Sequence, residues 1–379
     1  MASIQQILAP IVLTDVISQQ MAAETWILNF MGFAPGGRNE KFFGHGRNGA
    51  FRVFNNTRQI GRGRAPGTAA AIARRQSVGE VQIVYPRMHE EIQLLAEEVH
   101  NLSKIDDPTT RDIAGLDYIR RQTQFAGQKA GNWRAAMTIG MLRDDLYVSV
   151  QGDDWYFNFT AAGSQFRINS NMPAGNRSQL DMLGTGDIID QSWNNANANI
   201  PSHLSQIDAA FQVLYGGRLE HVILGAQLWQ HIINNDRVAS QAGIANAPFS
   251  TFERVIGERS DGTPLNAKTG QISANPMVTF WITDEGLDVG APGSETFTRY
   301  VPLNDAIFMP SPDIGIYSMQ LGSEPIAEYD GGPETVRVGL SAWSKKASNP
   351  TATEIFNLDN ALAINHIPNS TAHATPVFV

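Results

Sequence analysis

The sequence predicts an α+β protein organised around one very long helix. A helical pattern runs from Thr109 to about Leu146, and a hairpin sequence, DLYVSVQGDDWYFNF, follows it. Unbroken, this helix has about 38 residues and spans roughly 57 Å at 1.5 Å per residue. Two β-rich runs precede it, and segments with alternating helix and strand patterns follow it, an order typical of mixed layers. A helix this much longer than the usual 11–12 residues indicates a protein that holds distant surfaces together.

The composition limits which classes of protein this chain can belong to. The 379 residues, 42% of them hydrophobic, are enough for about two or three domains. Cysteine is absent, which excludes disulfides, thiolate catalysis and cysteine-based zinc sites. The start of the chain lacks a signal-type pattern and no run of about 18 apolar residues occurs, so we expect a cytoplasmic product that makes no membrane contact.

The charge is unevenly distributed along the chain. Between Arg38 and Arg75 there are nine basic residues and one acidic residue, Glu40, a net charge of +8 in a chain whose total is −9. The rest of the chain therefore carries −17. Such an asymmetry predicts an arm with an anionic partner, either nucleic acid or the acidic body of another copy.

Two segments before the long helix are expected to lie on other surfaces. Residues 1–37 combine short apolar stretches with Gly and Pro, so we expect an arm that packs on something else. Residues 40–85 predict two strands joined by a flexible tip, GRGRAPG. Because a lone hairpin is only marginally stable in water, this one is expected to lie against a neighbour, the alternative being a solvated loop with incidental arginines.

A shorter, acidic amphipathic helix, MHEEIQLLAEEVHNL, is predicted from Met88 to Leu102. The long helix then has Asp107 as its N-cap and Pro108 at its first position. Each interior glycine costs about 1 kcal/mol relative to alanine. Four in one helix indicate close approach by another backbone, or a helix that bends. These glycines are Gly115, Gly127, Gly131 and Gly140.

After a polar, turn-rich region at 160–199, a second unit is predicted. Its elements are a helix from Pro201, a buried strand at Leu219–Leu224, a helix at Ala226–Asn234, and strands at Val278–Thr283, Pro302–Pro310 and Val336–Trp343. The final apolar run is expected to complete a sheet.

Signals for chemistry are weak. Phosphate-binding and dinucleotide-binding loops are missing, and the eight histidines form no metal-ligand spacing. Asp144-Asp145 and Asp153-Asp154 flank the hairpin and raise the alternative of a carbohydrate-active hydrolase with paired carboxylates. Turns favour Asp for local hydrogen bonds, however, so a structural role is the preferred interpretation. We expect no catalytic residue, cofactor or metal.

The order of parts resembles the tailed-bacteriophage major capsid proteins with the Johnson fold, specifically the lambda-like capsid protein E family. The resemblance covers nearly the whole chain. The segments that carry it are YPRMHEEI, AAMTIGMLRDDLYVSVQGDDWYFNF, GRLEHVILGAQLWQHI, PLNDAIFMP and ALAINHIPN with the closing VFV.

This resemblance implies a structural subunit, not an enzyme, that self-assembles into the hexamers and pentamers of an icosahedral shell enclosing packaged double-stranded DNA. It also implies a division of the chain. The expected parts are an N-terminal arm at 1–37, an extended E-loop at 38–86, a peripheral P-domain with the spine helix and hairpin at 87–186, an axial A-domain at 187–325, and a return to the P-domain with a C-terminal strand at 326–379.

The partners implied are other copies of the chain, a separate scaffolding protein and a portal, with a decoration protein left open. DNA would be enclosed without specific binding, in a virion assembled in the host cytoplasm. Relatives that crosslink do so through an E-loop lysine, and this loop has only Lys41 at its base, so crosslinking is not expected.

The charges suggest how copies would hold together. A basic loop lying on a neighbour's acidic body is an electrostatic clamp, although exposed pairs contribute only about 0–1 kcal/mol each. The loop residues expected at this contact are Arg47, Arg52, Arg58, Arg62, Arg64, Arg74 and Arg75. Their candidate acidic partners are Asp112, Asp117, Asp144 and Asp145. The remaining alternative is a nucleic-acid-binding protein whose basic arm grips phosphates.

Overall fold

A computed structural model of the protein forms two compact units. It describes residues 10–42, 48–54, 78–84, 86–95, 108–151, 154–241, 266–269, 278–290, 293–327, 334–348 and 351–378. Unit 1 comprises the described residues within Met1–Phe51, Gln82–Thr138 and Tyr317–Ile364. Unit 2 comprises those within Arg52–Val81, Ile139–Ile316 and Asn365–Val379.

Helices and strands alternate irregularly along the chain, as expected for an α+β protein. The α-helices are α1 Pro10–Glu24, α2 Trp26–Met31, α3 Pro108–Arg143, α4 Ile200–Leu214, α5 Ala226–Ile233 and α6 Asp236–Gln241. The strands are β1 Glu40–Phe42, β2 Asn48–Phe54, β3 Val78–Val84, β4 Arg87–Leu95, β5 Leu146–Gln151, β6 Asp154–Asn158, β7 Phe166–Ile168, β8 Arg177–Ser178, β9 His221–Gly225, β10 Asn266–Thr269, β11 Thr279–Thr283, β12 Gly286–Val289, β13 Thr296–Arg299, β14 Ala306–Met309, β15 Tyr317–Leu321, β16 Ser323–Ala327, β17 Glu334–Val338, β18 Ser341–Ser348, β19 Thr351–Asn365 and β20 Ala372–Ala374.

Unit 1 contains a five-stranded sheet centred on the 15-residue strand β19. The order is β1-β15-β19-β18, and β4 also pairs with β19. β18 and β4 are both antiparallel to β19, and β1 runs parallel to β15. Strands β16 and β17 form a separate hairpin.

The predicted helix at 88–102 is wrong where the structure describes it, because Arg87–Leu95 is strand β4. Nine residues of β4 pair with β19, from Arg87 opposite Asn360 to Leu95 opposite Ala352. Along this strand Met88 and Leu94 are buried while His89 and Glu91 are exposed, which is the two-residue period of a strand. The ladder to β19 outweighs the helix propensity of Glu, Leu and Met, since tertiary pairing routinely overrides propensity.

The long helix is confirmed as one continuous element, α3, of 36 residues, and we call it the spine helix. It begins at Pro108, as the sequence predicts, and ends at Arg143, three residues before the predicted end. Asp144 follows it with a positive φ of 55°, a left-handed conformation that stops a helix.

Helix α1 explains two of the spine glycines. It buries Leu13, Ile17 and Met21 at four-residue steps. A methyl group at Gly127 would lie 2.9 Å from Cβ of Gln20, and one at Gly131 would lie 2.8 Å from Oγ1 of Thr25. The expected close approach is therefore confirmed at both positions, where the N-terminal segment packs on the spine of its own chain.

Unit 2 is built on a six-stranded sheet with the order β10-β11-β9-β14-β20-β8. β9 runs parallel to β11 and antiparallel to β14. Its core includes Leu204, Ile207 and Phe211 of α4. The strands predicted near 219–224, 278–283 and 302–310 are all present in this sheet, and the predicted helices correspond to α4 and α5.

Smaller sheets surround this core. The hairpin predicted after the spine is formed by β5 and β6, and β7 adds a third strand to it. β12 and β13 form another hairpin. The last part of the chain divides between the two units: β19 centres the sheet of unit 1, whereas β20 completes the sheet of unit 2, between β14 and β8. Within the described residues, none of the helices is both long and apolar enough to cross a membrane.

Replacing Gly131 with Val should separate α1 from the spine helix, because the new side chain would enter the space occupied by Thr25. Overpacking of this kind typically costs about 1–3 kcal/mol. Urea unfolding of the unassembled chain should show that loss. The matched control is Gln128→Val, an exposed position on the same helix, where a change within about 0.5 kcal/mol is expected. Equal losses in the two variants would contradict the close-packing role of Gly131.

Candidate functional site

The basic loop predicted at residues 38–86 contains a β-hairpin. β2 and β3 pair with each other, which confirms the predicted two-stranded excursion, and Arg52 lies on β2. The other candidate loop residues lie outside the described residues: Arg47, Arg58, Arg62, Arg64, Arg74 and Arg75. Their contact with a neighbouring copy remains a prediction.

Asp144, one candidate acidic partner of that loop, is already bound within its own subunit. Its side chain is fully buried. The carboxylate accepts hydrogen bonds from the Ser170 backbone N–H at 2.8 Å and the Ser170 hydroxyl at 2.7 Å. It also pairs with the guanidinium groups of Arg167 and Arg177. These contacts make Asp144 an anchor at the end of the spine, and its expected contact with an incoming loop remains a prediction.

Asp145 is likewise engaged inside the subunit. Its carboxylate lies 2.5 Å from Nη2 of Arg143, and Arg143 donates a hydrogen bond to the Tyr300 carbonyl at 2.8 Å. Burial raises the pKa of Asp145, against the lowering effect of Arg143. The two remaining acidic candidates, Asp112 and Asp117, lie on the first part of α3.

Three of the four paired aspartates lie within the described residues, and each of them has a partner in its own subunit. Asp144 and Asp145 are each held by arginines. Asp154 accepts a hydrogen bond from the Tyr156 hydroxyl at 3.2 Å, and Asp153 lies outside the described residues. Where side chains are described, no group of three or more His, Asp or Glu residues could hold a metal ion.

The most heavily bonded charged group of unit 1 is Arg134, which the sequence interpretation missed. It lies in the last third of the spine helix with its side chain fully buried. Nε and Nη2 donate to the two carboxylate oxygens of Asp359 on β19, at 2.7 and 3.0 Å. Nη1 donates to Glu40 at 2.7 Å and to the Phe33 carbonyl at 3.3 Å. We call these four residues the Arg134 cluster.

The Arg134 cluster joins four separate segments of unit 1. Arg134 comes from the spine, Asp359 from the central strand, Glu40 from β1 and Phe33 from the turn after α2. Burial by itself would lower the pKa of Arg134, but Asp359 and Glu40 together raise it above the ordinary arginine value. The arginine is therefore permanently charged, and the two carboxylates compensate it.

The exposed face of the spine is cationic. From Tyr118 to Arg143 the helix contains no acidic residue. Arg120 and Arg121 are exposed, and Phe125 is 48% exposed. This described face does not suit a second basic segment. The candidate acidic partners on the spine are Asp112 and Asp117, and their contact with the loop remains a prediction.

Comparisons with known proteins give the following. No family model and no curated protein matches the chain. Among solved structures, a phage-related protein from Bordetella bronchiseptica RB50 is 9% identical, with 96% of each chain covered and a TM-score of 0.46. The bacteriophage PhiM1 mature capsid is 9% identical, covering 89% of this chain and 86% of that one, with a TM-score of 0.43. An encapsulin complex from Synechococcus elongatus PCC 7942 is 8% identical, covering 86% and 82%, with a TM-score of 0.39.

All three TM-scores lie below 0.5, so the fold assignment rests on the elements themselves. The fold class is α+β. The order of its parts is the one expected from the resemblance described above: an N-terminal helix, a hairpin excursion, a spine helix closed by a second hairpin, and a unit with a mixed sheet.

Replacing Arg134 with Met should strongly destabilise unit 1, because Asp359 and Glu40 would lose their buried counter-charge. Removing one partner of a buried pair typically costs about 3–5 kcal/mol. The double variant Arg134→Met with Asp359→Leu should regain part of that loss, since only Glu40 then remains without its counter-charge. Urea unfolding of the unaltered chain, the two single variants and the double variant measures the difference. Additive losses in the double variant would show that the two side chains do not act as a pair.

Proposed function

We propose that this protein is the major capsid protein of a tailed bacteriophage, a structural subunit that assembles into the hexamers and pentamers of an icosahedral shell around packaged double-stranded DNA. The observation that carries the proposal is the spine helix. A 36-residue helix is about 54 Å long at 1.5 Å per residue. Its length exceeds what a compact core requires, and it suits a subunit that spans between distant contacts in a shell.

The contacts along the spine helix support a structural role for it. The helix is clamped by the Arg134 cluster on one side and by α1 at Gly127 and Gly131 on another. The end of the helix is anchored by Asp144. A helix held at so many points keeps its direction, which a repeating assembly needs because each contact must recur in every copy.

Two further features favour self-assembly. The β2–β3 hairpin carries a strongly basic sequence in a chain that is otherwise acidic, so another copy is a suitable partner. An acidic chain also suits a container for DNA, because a basic lining would bind phosphates non-specifically. On this proposal the chain keeps the division expected from the resemblance, with an arm at 1–37, an E-loop at 38–86 and an axial domain at 187–325.

The proposal extends to partners and location. A separate scaffolding protein and a portal would act with the chain during assembly in the host cytoplasm, and the product would be the capsid of the virion. The subunit would act without a cofactor and without enzymatic activity.

Electron microscopy of the purified protein, with and without a co-expressed scaffold, tests the proposal. Closed shells or isolated hexamers and pentamers are the expected result. A chain that stays monomeric under every condition, including with the scaffold, would contradict it.

Changing Arg58, Arg62 and Arg64 together to Glu should abolish shell assembly, because the clamp would then repel the acidic body of the neighbour. The control changes the same three residues to Lys, which keeps the charge and should keep assembly. Sedimentation and electron microscopy measure the outcome. Normal shells from the Glu variant would rule out the electrostatic clamp.

DNA binding separates the clamp from the alternative function. A nucleic-acid-binding arm would give the unaltered chain an affinity for DNA that falls steeply with salt. That affinity would be lost in the Glu variant. If the unaltered chain has no affinity for DNA and the Glu variant still fails to assemble, the result favours the clamp.

A further inference from the structure

A buried chain of hydrogen bonds in unit 2 links a tryptophan, a histidine and an aspartate. Nε1–H of Trp193 donates to Nδ1 of His203 at 3.0 Å, and Nε2 of His203 lies 2.9 Å from Oδ1 of Asp190. Trp193 and His203 are 1% and 2% exposed. Asp190, by contrast, reaches the surface, with 67% of its side chain exposed.

The tryptophan determines which histidine nitrogen carries the proton. Indole Nε1–H can only donate, so Nδ1 of His203 must be an unprotonated acceptor. The ring is therefore the neutral Nε2–H tautomer, and it donates to Asp190. A second proton would have to be placed on Nδ1, where it would face the Trp193 N–H donor directly.

Trp193 also holds a segment of chain that is distant in sequence. Its backbone N–H donates to the Pro376 carbonyl at 2.9 Å. The backbone N–H of Phe378 donates to the hydroxyl of Ser192 at 3.0 Å. Val377 and Phe378 pack against the core of unit 2. The loop at 190–193 thus fastens residues 375–378, with the loop's own position set by His203.

We propose that His203 is an acid-sensitive latch, in which uptake of one proton at Nδ1 breaks the hydrogen bond from Trp193 and releases residues 375–378 from unit 2. The proton comes from the solvent, and no other bond changes. Asp190 is the charged group that the described residues place against the ring, and it contacts Nε2 in the latched form. Trp193 and Phe308, which packs on Trp193 at a ring distance of 6.4 Å, bring no charge.

The direction of the pH effect follows from the environment of the ring. Burial lowers the pKa of His203, although the hydrogen bond and the charge of Asp190 both act to raise it. In the released form the ring regains an ordinary pKa of about 6.5 and takes up a proton more readily. The latched form is therefore fully favoured above about pH 6.5 and loses stability as the pH falls below that value.

The same unit contains a natural control. Nε1–H of Trp281 donates to Nδ1 of His221 at 3.1 Å, the same contact as that between Trp193 and His203. His221 lies on β9 and Trp281 on β11, and His221 is only partly buried. Loss of the hydrogen bond between Trp281 and His221 should leave residues 375–378 in place. The variant His221→Asn therefore tests whether losing any Trp–His hydrogen bond in unit 2 would release this segment.

Hydrogen exchange of the full chain between pH 7.5 and pH 5, corrected for intrinsic rates, tests the latch. Protection at Trp193 and Phe378 should fall by up to about tenfold per pH unit as the pH drops below about 6.5, the pKa of the released ring, because one proton is taken up on release, while β9 and β14 keep theirs. His203→Asn keeps an acceptor near the indole but cannot take up a proton, so its protection should not vary with pH. His221→Asn should respond like the unaltered chain.

Two results would overturn the latch. One is an equal pH response in His203→Asn, and the other is simultaneous loss of protection across the whole sheet of unit 2. Exchange at the histidine C2–H position, followed in the unaltered chain, gives the pKa of His203 without any variant. That pKa should coincide with the midpoint of segment release, and a midpoint more than about one pH unit away would exclude His203 as the cause.

Discussion

The buried ion pair between Arg134 and Asp359 is the interaction on which unit 1 depends. A charged arginine in the middle of a packed helix is tolerated only where opposite charge and hydrogen-bond acceptors surround it. Asp359 accepts from Nε and Nη2 with its two carboxylate oxygens, and Glu40 and the Phe33 carbonyl accept from Nη1. Because each acceptor comes from a different segment, satisfying one side chain determines where the spine, the central strand and the N-terminal turn meet.

Close helix packing and a defined helix end complete this arrangement. The glycines at 127 and 131 let α1 approach the spine to a distance that any side chain would prevent. At the other end, the positive φ of Asp144 stops the helix, and the buried carboxylate holds two arginines and Ser170. Buried polar networks of this kind favour one arrangement of the segments that they join. A shell subunit needs one defined arrangement of its segments, because identical copies must present identical contacts.

Local sequence signals predicted the elements that depend on local patterns. Pro108 marks the start of the spine, and the alternation after Leu146 marks its hairpin. The helix predicted at Met88 failed because its apolar residues fit both a helical stripe and a strand, and pairing with β19 decides between them. The 15-residue β19 was missed for the same reason, since its length comes from its neighbours in the sheet and not from its own residues.

The candidate site was predicted less completely than the fold. The basic loop was visible as a run of charge, whereas the Arg134 cluster joins residues up to 225 positions apart. The available signals were a single arginine, Arg134, before the helix sequence AAM, and a single aspartate, Asp359, before the strand sequence NALAIN. No spacing rule connects these two positions. The burial and ion pairs of Asp144 were not predicted, because composition does not distinguish a buried, ion-paired aspartate from an exposed one.

A residue-resolution cryo-electron microscopy reconstruction of assembled particles tests the central claim most directly. The account predicts a closed shell in which every copy keeps Arg134 paired with Asp359 and lays its basic loop, residues 43–77, on the body of an adjacent copy. A shell in which that loop returns to its own subunit would contradict the clamp, and an assembly without closed particles would contradict the proposed function.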